Sequence, residues 1–374
     1  MHVILTVNAA WNVWNFRLPV VRALLAEGHR VTVLAPPDET VPKLEAMGCA
    51  FRPLAMRPQG LNPAEAPALC LRLARAFRRE RPDIVLGYTI KNNVFGAMAA
   101  KATGTPFLPN VTGLGTAFLA GGLLQRVAEA LYRRAFRGLP VVFFQNEDDS
   151  TLFTARGLVH PGQVRLLPGS GIDLRRFAPA PMPEDPEAPV FLMIARLLRD
   201  KGVHEYVDAA REVRARHPAA RFRLLGAVGA DNRTAVDRAT VDRWVAEGAI
   251  EYLGTAPDVR PHIAAAHCVV LPSYREGAPR TLIEAAAMAR PLIATDVPGC
   301  RAVVRDGETG FLCAPRSARA LAAAIERFLA LDAPRRAAMG AAGRAFMEEA
   351  FDEALVVEAY ARAIAELVPA GGRG

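Results

Sequence analysis

The 374-residue sequence contains no run of 18 or more apolar residues, so no segment of it reads as a membrane-spanning helix. Its start, MHVILTVNAAWNVWNFR, has no basic leader ahead of the apolar stretch. It reads as a first strand rather than a signal peptide, and the expectation is a cytoplasmic chain. Cysteine is scarce and odd in number. Cys49, Cys70, Cys268, Cys300 and Cys313 form no C-x-x-C pair, which argues against a disulfide framework or a structural zinc site and leaves small apolar fillers. No G-x-G-x-x-G follows any strand-like run, which disfavours a nicotinamide-dependent dehydrogenase. H-E-x-x-H and D-x-D are absent as well, and the adjacent Asp148 and Asp149 read as caps of the helix that follows them.

What is present is globular: 51% hydrophobic and 22% charged residues, in a chain long enough for two domains. The net charge of +8 points to an anionic partner, namely nucleic acid, an anionic lipid surface or a phosphorylated small molecule. No helix-turn-helix, zinc finger or aromatic–basic pattern supports nucleic acid. The arginines gather in residues 69–82 (LCLRLARAFRRERP) and 123–138 (LLQRVAEALYRRAFRG), where leucines and basic residues alternate at helical spacing. Both stretches read as amphipathic helices with one cationic face, suited to solvent or to an anionic membrane surface.

Strand-like runs HVILTV, RVTVLA, CAFRPL, DIVLGY, PFLPNV and VVFFQN alternate with helical stretches, among them NFRLPVVRALLAEG with Gly28 as its stop. That alternation predicts a doubly wound parallel sheet for residues 1–177. The proline-rich stretch 178–189 reads as a linker. A second α/β series over 190–351 repeats the pattern with VFLMIA, RFRLLG, AIEYLG, CVVLPS and PLIAT. The final helix, 352–368, is expected to pack back on the first domain, ahead of a frayed PAGGRG tail. Two Rossmann-like domains of this kind bind ligands at the carboxyl ends of their strands, in a cleft between them.

The densest chemical signal is PSYREGAPRTLIEAAAMARPLIATDVPGC, residues 272–300. Glu276 falls in a loop after a strand, and Glu284 falls eight residues later inside a helix that begins near Pro279 or Arg280. At the rise of a helix the two carboxylates stand roughly 10–12 Å apart. That span matches the distance from a nucleotide's ribose to the sugar beyond its diphosphate. Between the acids lies a helix N-terminus, whose free N–H groups and positive dipole end suit that diphosphate. The second element is IARLLRDKGVHEYVDAA, residues 194–210, where Arg196 and Lys201 sit at a strand-to-helix turn. Two cations there neutralise charge growing on a departing diphosphate, in place of a divalent metal, so no metal or other cofactor is expected. Arg199 reads as a surface residue.

The E-x7-E pair, the ARLLRDKG element and the GSGID turn (169–173) resemble retaining GT-B glycosyltransferases of the large bacterial group 1 family. YTIKNN (88–93) and NVTGLGTAF (110–118) resemble the subgroup that extends lipid-linked oligosaccharides for capsule, O-antigen or glycoprotein assembly. The resemblance implies that Glu276 lies near the hydroxyls of the transferred sugar and Glu284 binds the donor ribose. Arg196 and Lys201 then hold the diphosphate, while Gly277, Ala278, Pro279 and Thr281 line the donor pocket. It also implies a reaction on one face of the sugar, the departing phosphate oxygen accepting the acceptor's proton. A hexose or N-acetylhexosamine is expected to pass, from a UDP donor, to a polyprenyl-diphosphate-linked glycan at the inner face of the cell membrane.

Two departures bear on the acceptor. Where many relatives have a glycine-rich turn after the first strand, this chain has NAAWNVWN, and where a first-domain histidine is common, Thr112 and Gly113 stand. Asn12, Asn15, Arg17, Tyr88, Lys91, Asn92, Thr112 and Gly113 are the acceptor-side candidates. Lys91, Asn92 and Asn93 read equally as a helix cap. Ser170 and Gly171 make a tight turn whose backbone N–H groups can also meet the donor's phosphates, and both are counted with the donor-binding candidates. His204 and His267 are isolated and read as structural; Trp11 and Trp14 suit core packing as well as stacking on a sugar or lipid. The rival enzyme class is a non-hydrolysing UDP-sugar 2-epimerase, which needs a cluster of acids and histidines not apparent here. The rival within the class is a glycosyltransferase with a soluble acceptor.

Overall fold

The computed structural model describes residues 1–57, 65–113, 122–184, 187–229, 232 and 234–368, which fall into two compact units. The first comprises residues 1–170 with 353–374, and the second residues 171–352. Most of the 178–189 linker lies within the described residues, as do the strand ends of YTIKNN and NVTG. Residues 114–118 and the whole PAGGRG tail, 369–374, lie outside them.

In the first unit, β1 (His2–Thr6), β2 (Arg30–Ala35), β3 (Ala50–Pro53), β4 (Ile84–Tyr88), β5 (Phe107–Val111), β6 (Val142–Phe144) and β7 (Val164–Leu166) form one parallel sheet in the order β3-β2-β1-β4-β5-β6-β7. The runs are apolar because helices cover both faces: Val3, Ile4 and Leu5 are all fully buried, on opposite sides of the sheet. Each such side chain contributes about 1.5–3 kcal/mol of burial. The helix Glu353–Leu367 belongs to this unit, sealing one face through Val356, Tyr360, Ala363 and Ile364. On the other face Glu65–Glu80 and Gly122–Phe136 flank Ile90–Thr103. The helix read from Asn15 onward is in fact two, Ala10–Phe16 and Leu18–Ala26, broken at Arg17.

In the second unit, β8 (Val190–Ile194), β9 (Arg221–Leu225), β10 (Glu251–Tyr252), β11 (Cys268–Leu271), β12 (Leu292–Thr295) and β13 (Gly310–Cys313) form a parallel sheet in the order β10-β9-β8-β11-β12-β13. Residues 171–177, placed by the sequence in the first domain, pack here instead. Ile172 N–H donates to the Phe351 carbonyl, and Arg344 donates to the carbonyls of Leu174 and Phe177. The linker start is likewise fixed to this unit, with Ala180 N–H donating to the Met288 carbonyl. Backbone groups that would otherwise be buried without partners set this boundary, which hydrophobic periodicity does not report.

Asp148 and Asp149 lie in the first turn of Glu147–Ala155, whose cap is Asn146: its Oδ1 accepts from the Asp149 N–H at 2.8 Å. The cysteines are free thiols, all buried except the half-buried Cys70. Burial raises Cys49 to about 11 and Cys313 to about 12, so both stay protonated fillers at neutral pH. Among the described residues, no helix is long and apolar enough to cross a membrane.

Candidate functional site

Both sheets reverse direction once. In the second the chain builds outward from β8 through β9 to β10, then returns beside β8 as β11 and continues through β12 to β13. The switch point lies between β8 and β11, and in such sheets ligands bind at the carboxyl ends of the strands flanking it. Arg196 and Lys201 follow β8; Glu276 and Glu284 follow β11. Topology therefore brings the two elements together.

Local chemistry locks them. Gly202 caps the helix Val203–Arg214 at φ +73°, and a Cβ there would lie 2.0 Å from the Pro272 carbonyl oxygen. Only glycine permits so close an approach in that conformation. Tyr274 N–H donates to the Asp200 carbonyl at 2.9 Å and its hydroxyl donates to Glu205 Oε1 at 2.6 Å, while Arg316 lies 4.7 Å over its ring. Gly299 backs the loop from the other side, its missing Cβ leaving room for the Glu276 and Gly277 carbonyls. Thr281 spends its hydroxyl proton on the Ile194 carbonyl at 3.1 Å, tying the helix Arg280–Ala287 to the end of β8.

On this frame Lys201 Nζ donates to Glu276 Oε1 at 2.5 Å, with the carboxylate 12% exposed. Arg196 is exposed, and among the described residues its guanidinium has no hydrogen-bond or ion-pair partner. The helix Arg280–Ala287 opens after Pro279, which is its cap rather than part of its first turn, with no side-chain cap on its N–H groups. Gly277 and Ala278 precede it, half-buried. Glu284 accepts from Arg280 Nε at 2.7 Å. Burial pushes the Glu284 carboxyl up from 4.5, opposed by the positive charge and hydrogen bond of Arg280. Arg280 itself escaped the sequence reading, although its i, i+4 spacing to Glu284 signals such a pair.

In the first sheet the switch point lies between β1 and β4. The segment 8–17 follows β1 and YTIKNN ends β4, so the acceptor-side candidates gather at one place for the same topological reason. Their exposures differ. Tyr88, Asn92 and Asn93 are buried. Asn92 Nδ2 donates to Thr6 Oγ1 at 2.8 Å and Asn93 Nδ2 to the Asn110 carbonyl at 2.7 Å, so both amide nitrogens are engaged within the fold, while among the described residues Asn93 Oδ1 has no partner. Lys91 Nζ donates to the Arg57 carbonyl at 2.9 Å, and Asn15 Nδ2 to the Trp11 carbonyl at 2.9 Å. Thr112 and Gly113 are half-buried at the end of β5. Asn8 Oδ1 and Asn12 Oδ1 are buried and, among the described residues, have no hydrogen-bond partner. Arg17 is buried, its guanidinium 4.4 Å over the Tyr88 ring, and donates to Ser170 Oγ at 3.3 Å. Ser170, read with the donor-binding residues, is thus placed beside an acceptor-side candidate at the end of the first unit, while Gly171 begins the second. Trp11 is 49% exposed; Trp14 is half-buried under Lys43.

Two family models match the chain: "Glycosyl transferase 4-like domain" over residues 13–169 and "Glycosyl transferases group 1" over residues 188–331. The chain is 27% identical, over 86% of its length and 88% of the relative's, to N,N'-diacetylbacillosaminyl-diphospho-undecaprenol alpha-1,3-N-acetylgalactosaminyltransferase of Campylobacter jejuni. It is 29% identical to the putative colanic acid biosynthesis glycosyltransferase WcaL of Escherichia coli, over 50% of this chain and 47% of that one. Among solved structures, sucrose-phosphate synthase of Thermosynechococcus elongatus aligns with a TM-score of 0.79 at 22% identity, over 98% of this chain and 99% of that one. Anabaena HepE in complex with UDP-glucose aligns with a TM-score of 0.79 at 19% identity, over 98% and 100%. These alignments establish the shared GT-B fold of two parallel-sheet α/β units.

Proposed function

Because the chain belongs to the group 1 glycosyl transferases, we propose that it moves a hexose or N-acetylhexosamine, with retention, from a UDP-sugar to a polyprenyl-diphosphate-linked glycan. The observation that carries the donor half is the constellation at the β8/β11 switch point. Two cations, two acids of separate environment and an uncapped helix N-terminus converge there. In this reading Arg196, Lys201 and the helix N-terminus hold the diphosphate, Glu284 accepts from the ribose hydroxyls and Glu276 from those of the sugar. As the glycosidic bond to the leaving phosphate breaks, the acceptor hydroxyl attacks the same face of the sugar. Its proton passes to the departing phosphate oxygen, and Arg196 and Lys201 neutralise the charge developing on the diphosphate. The acceptor half rests on the Campylobacter relative, whose name specifies a diphospho-undecaprenol-linked sugar.

A panel of nucleotide sugars tests the donor. The matching donor raises the unfolding temperature by mass action, without knowledge of the acceptor. UDP-sugars are expected to protect and GDP-sugars not to; the reverse result removes UDP, and no protection by any nucleotide sugar removes the donor site. Turnover with the donor so identified is expected to survive EDTA, since D-x-D is absent and in this reading Arg196 and Lys201 take the place of a metal. An absolute magnesium requirement would overturn metal independence.

The cationic helices Glu65–Glu80 and Gly122–Phe136 support peripheral binding to anionic membrane. Exposed Arg75, Arg78 and Arg79 on the first, and Arg126, Arg133 and Arg134 on the second, accompany the exposed apolar side chains of Leu71 and Val127. Co-sedimentation with phosphatidylglycerol vesicles, weakening as salt is raised and absent with phosphatidylcholine, is the expected result. Equal binding to both lipids, or to neither, sinks this part of the reading.

A further inference from the structure

We propose that the first unit holds a diphosphate-binding subsite, built on Arg17 and Ser170 at the β1/β4 switch point, that takes the diphosphate of the acceptor. The identity of the acceptor rests on the function proposed above; the subsite rests on the chemistry of Arg17. That side chain is 3% exposed, yet among the described residues it has no carboxylate partner. Among those residues its one hydrogen bond, to Ser170 Oγ, is long at 3.3 Å, and Nε has no partner. A guanidinium carries five N–H donors, and a buried cation without a counter-ion is costly. The contrast with Arg290 is instructive: that fully buried guanidinium is surrounded by backbone carbonyls. Arg17 is left under-satisfied where parallel sheets bind ligands.

Its surroundings suit an anion. The guanidinium carbon lies 4.4 Å from the centroid of the Tyr88 ring, a cation–π contact that holds the fork in place for contact with phosphate oxygens. Ser170 is held between two left-handed glycines, Gly169 at φ +59° and Gly171 at φ +71°. Arg17 also precedes the nine-residue helix Leu18–Ala26, whose N-terminus has no side-chain cap. The partnerless oxygens of Asn8 and Asn12, on the same segment, are acceptors for sugar hydroxyls rather than for phosphate. Diphosphate on Arg17 with sugar beside it fits this distribution of donors and acceptors.

The test compares Arg17→Met, Arg17→Lys and Ser170→Ala with the wild-type chain. With the donor site saturated by UDP, inorganic pyrophosphate is expected to raise the wild-type unfolding temperature further and to lose that added effect in Arg17→Met. Arg17→Lys and Ser170→Ala should retain part of it. The kcat/KM for a glycan on a lipid diphosphate, divided by that for the same glycan on a neutral alkyl chain, should fall ~10-fold or more in Arg17→Met, the loss of a charge-assisted pair. The Kd of UDP should not change. Arg17→Met alone should unfold at the wild-type temperature or above it, because a buried cation without counter-ion has been removed. A marked drop there marks a structural arginine and overturns the subsite, as does undiminished protection by pyrophosphate. Equal loss with charged and neutral acceptors overturns it too. A weaker UDP Kd with unchanged acceptor selectivity gives Arg17 to the donor diphosphate and overturns the assignment to the acceptor. If no diphosphate-linked lipid is a substrate, the acceptor reading fails, and the pyrophosphate measurement still decides on Arg17.

Discussion

Glu276→Gln is expected to lower kcat by ~10²-fold or more while UDP binds as tightly as before, or more tightly. The substitution keeps shape and removes charge at a carboxylate that is 12% exposed and paired with Lys201 at 2.5 Å. Without donor, that pair satisfies both groups. An arriving diphosphate competes with Glu276 for the lysine, so removing the carboxylate's charge leaves Lys201 fully available to phosphate. Ground-state binding therefore does not suffer. What is lost is the anionic acceptor for sugar hydroxyls, whose contacts strengthen as positive charge develops on the sugar. Glu284→Gln should show the opposite split, weakening UDP by ~10-fold, the scale of one charge-assisted hydrogen bond, with a smaller change in kcat. It should also remove a pH dependence. The Glu284 carboxyl is raised above 4.5 by burial, and ribose hydroxyls donate best to its ionised form. Wild-type UDP affinity is thus complete above that raised pKa and declines as pH falls through it. Isothermal titration with UDP from pH 4.5 to 8, beside steady-state kinetics, separates the roles. Unchanged turnover in Glu276→Gln removes that residue from the mechanism, and unaltered UDP affinity in Glu284→Gln does the same for the ribose contact.

The placement of these two acids was legible because it is local. A strand, a loop acid, a helix start and a second acid follow one another in 272–284, and their spacing predicts the frame before any fold is known. The alternation of apolar runs likewise gave both sheets, since a strand buried on two faces leaves a contiguous signature. Two edge strands escaped: β7 is three residues long and half-exposed, and β13 begins at a glycine whose missing side chain admits the Leu292 carbonyl. Also invisible were the features created by contact between distant segments. Gly202 against Pro272, Tyr274 on Glu205 and Arg17 on Tyr88 each join residues more than 60 positions apart. Periodicity carries no information about such pairs. The candidates at the first sheet's switch point depend on contacts of that kind, whereas Glu276 and Glu284 depend on spacing within one loop and helix. Asn92 illustrates the difference: as a motif letter it suggests a ligand contact, and as a folded side chain it anchors its helix to Thr6.

Arg290→Met is expected to destabilise the second unit by about 3–5 kcal/mol, lowering its unfolding temperature by roughly 10 °C, while kcat measured at 20 °C stays near wild type. Arg290 lies just past the helix that carries Glu284 and is fully buried. Nε donates to the Ile263 carbonyl, Nη1 to those of Ala180, Met288 and Ala289, and Nη2 to those of Ala264 and Pro181. One side chain therefore joins the linker, the helix Arg260–Ala264 and the carboxyl end of the Glu284 helix, whose last carbonyls lack partners within the helix. Burial lowers the guanidinium to about 10, so it remains charged at neutral pH, where the partial negative charge of those carbonyls stabilises it. Methionine fills much of the space but returns nothing to oxygens that are out of reach of water, each costing about 1–3 kcal/mol when stranded. Arg290→Lys should recover little, because a single ammonium cannot span directions that the planar guanidinium covers with separate nitrogens. Calorimetry on both variants, with kinetics on the same samples, separates this from a site effect. A loss of kcat at unchanged stability would place Arg290 in the donor site's chemistry, and an unfolding temperature within 2 °C of wild type would mean the carbonyl cluster finds other donors. If the loss is in stability alone, the arginine acts by fixing residues 180–181 against the end of the helix that carries Glu284, so that the linker and this helix are held by one side chain.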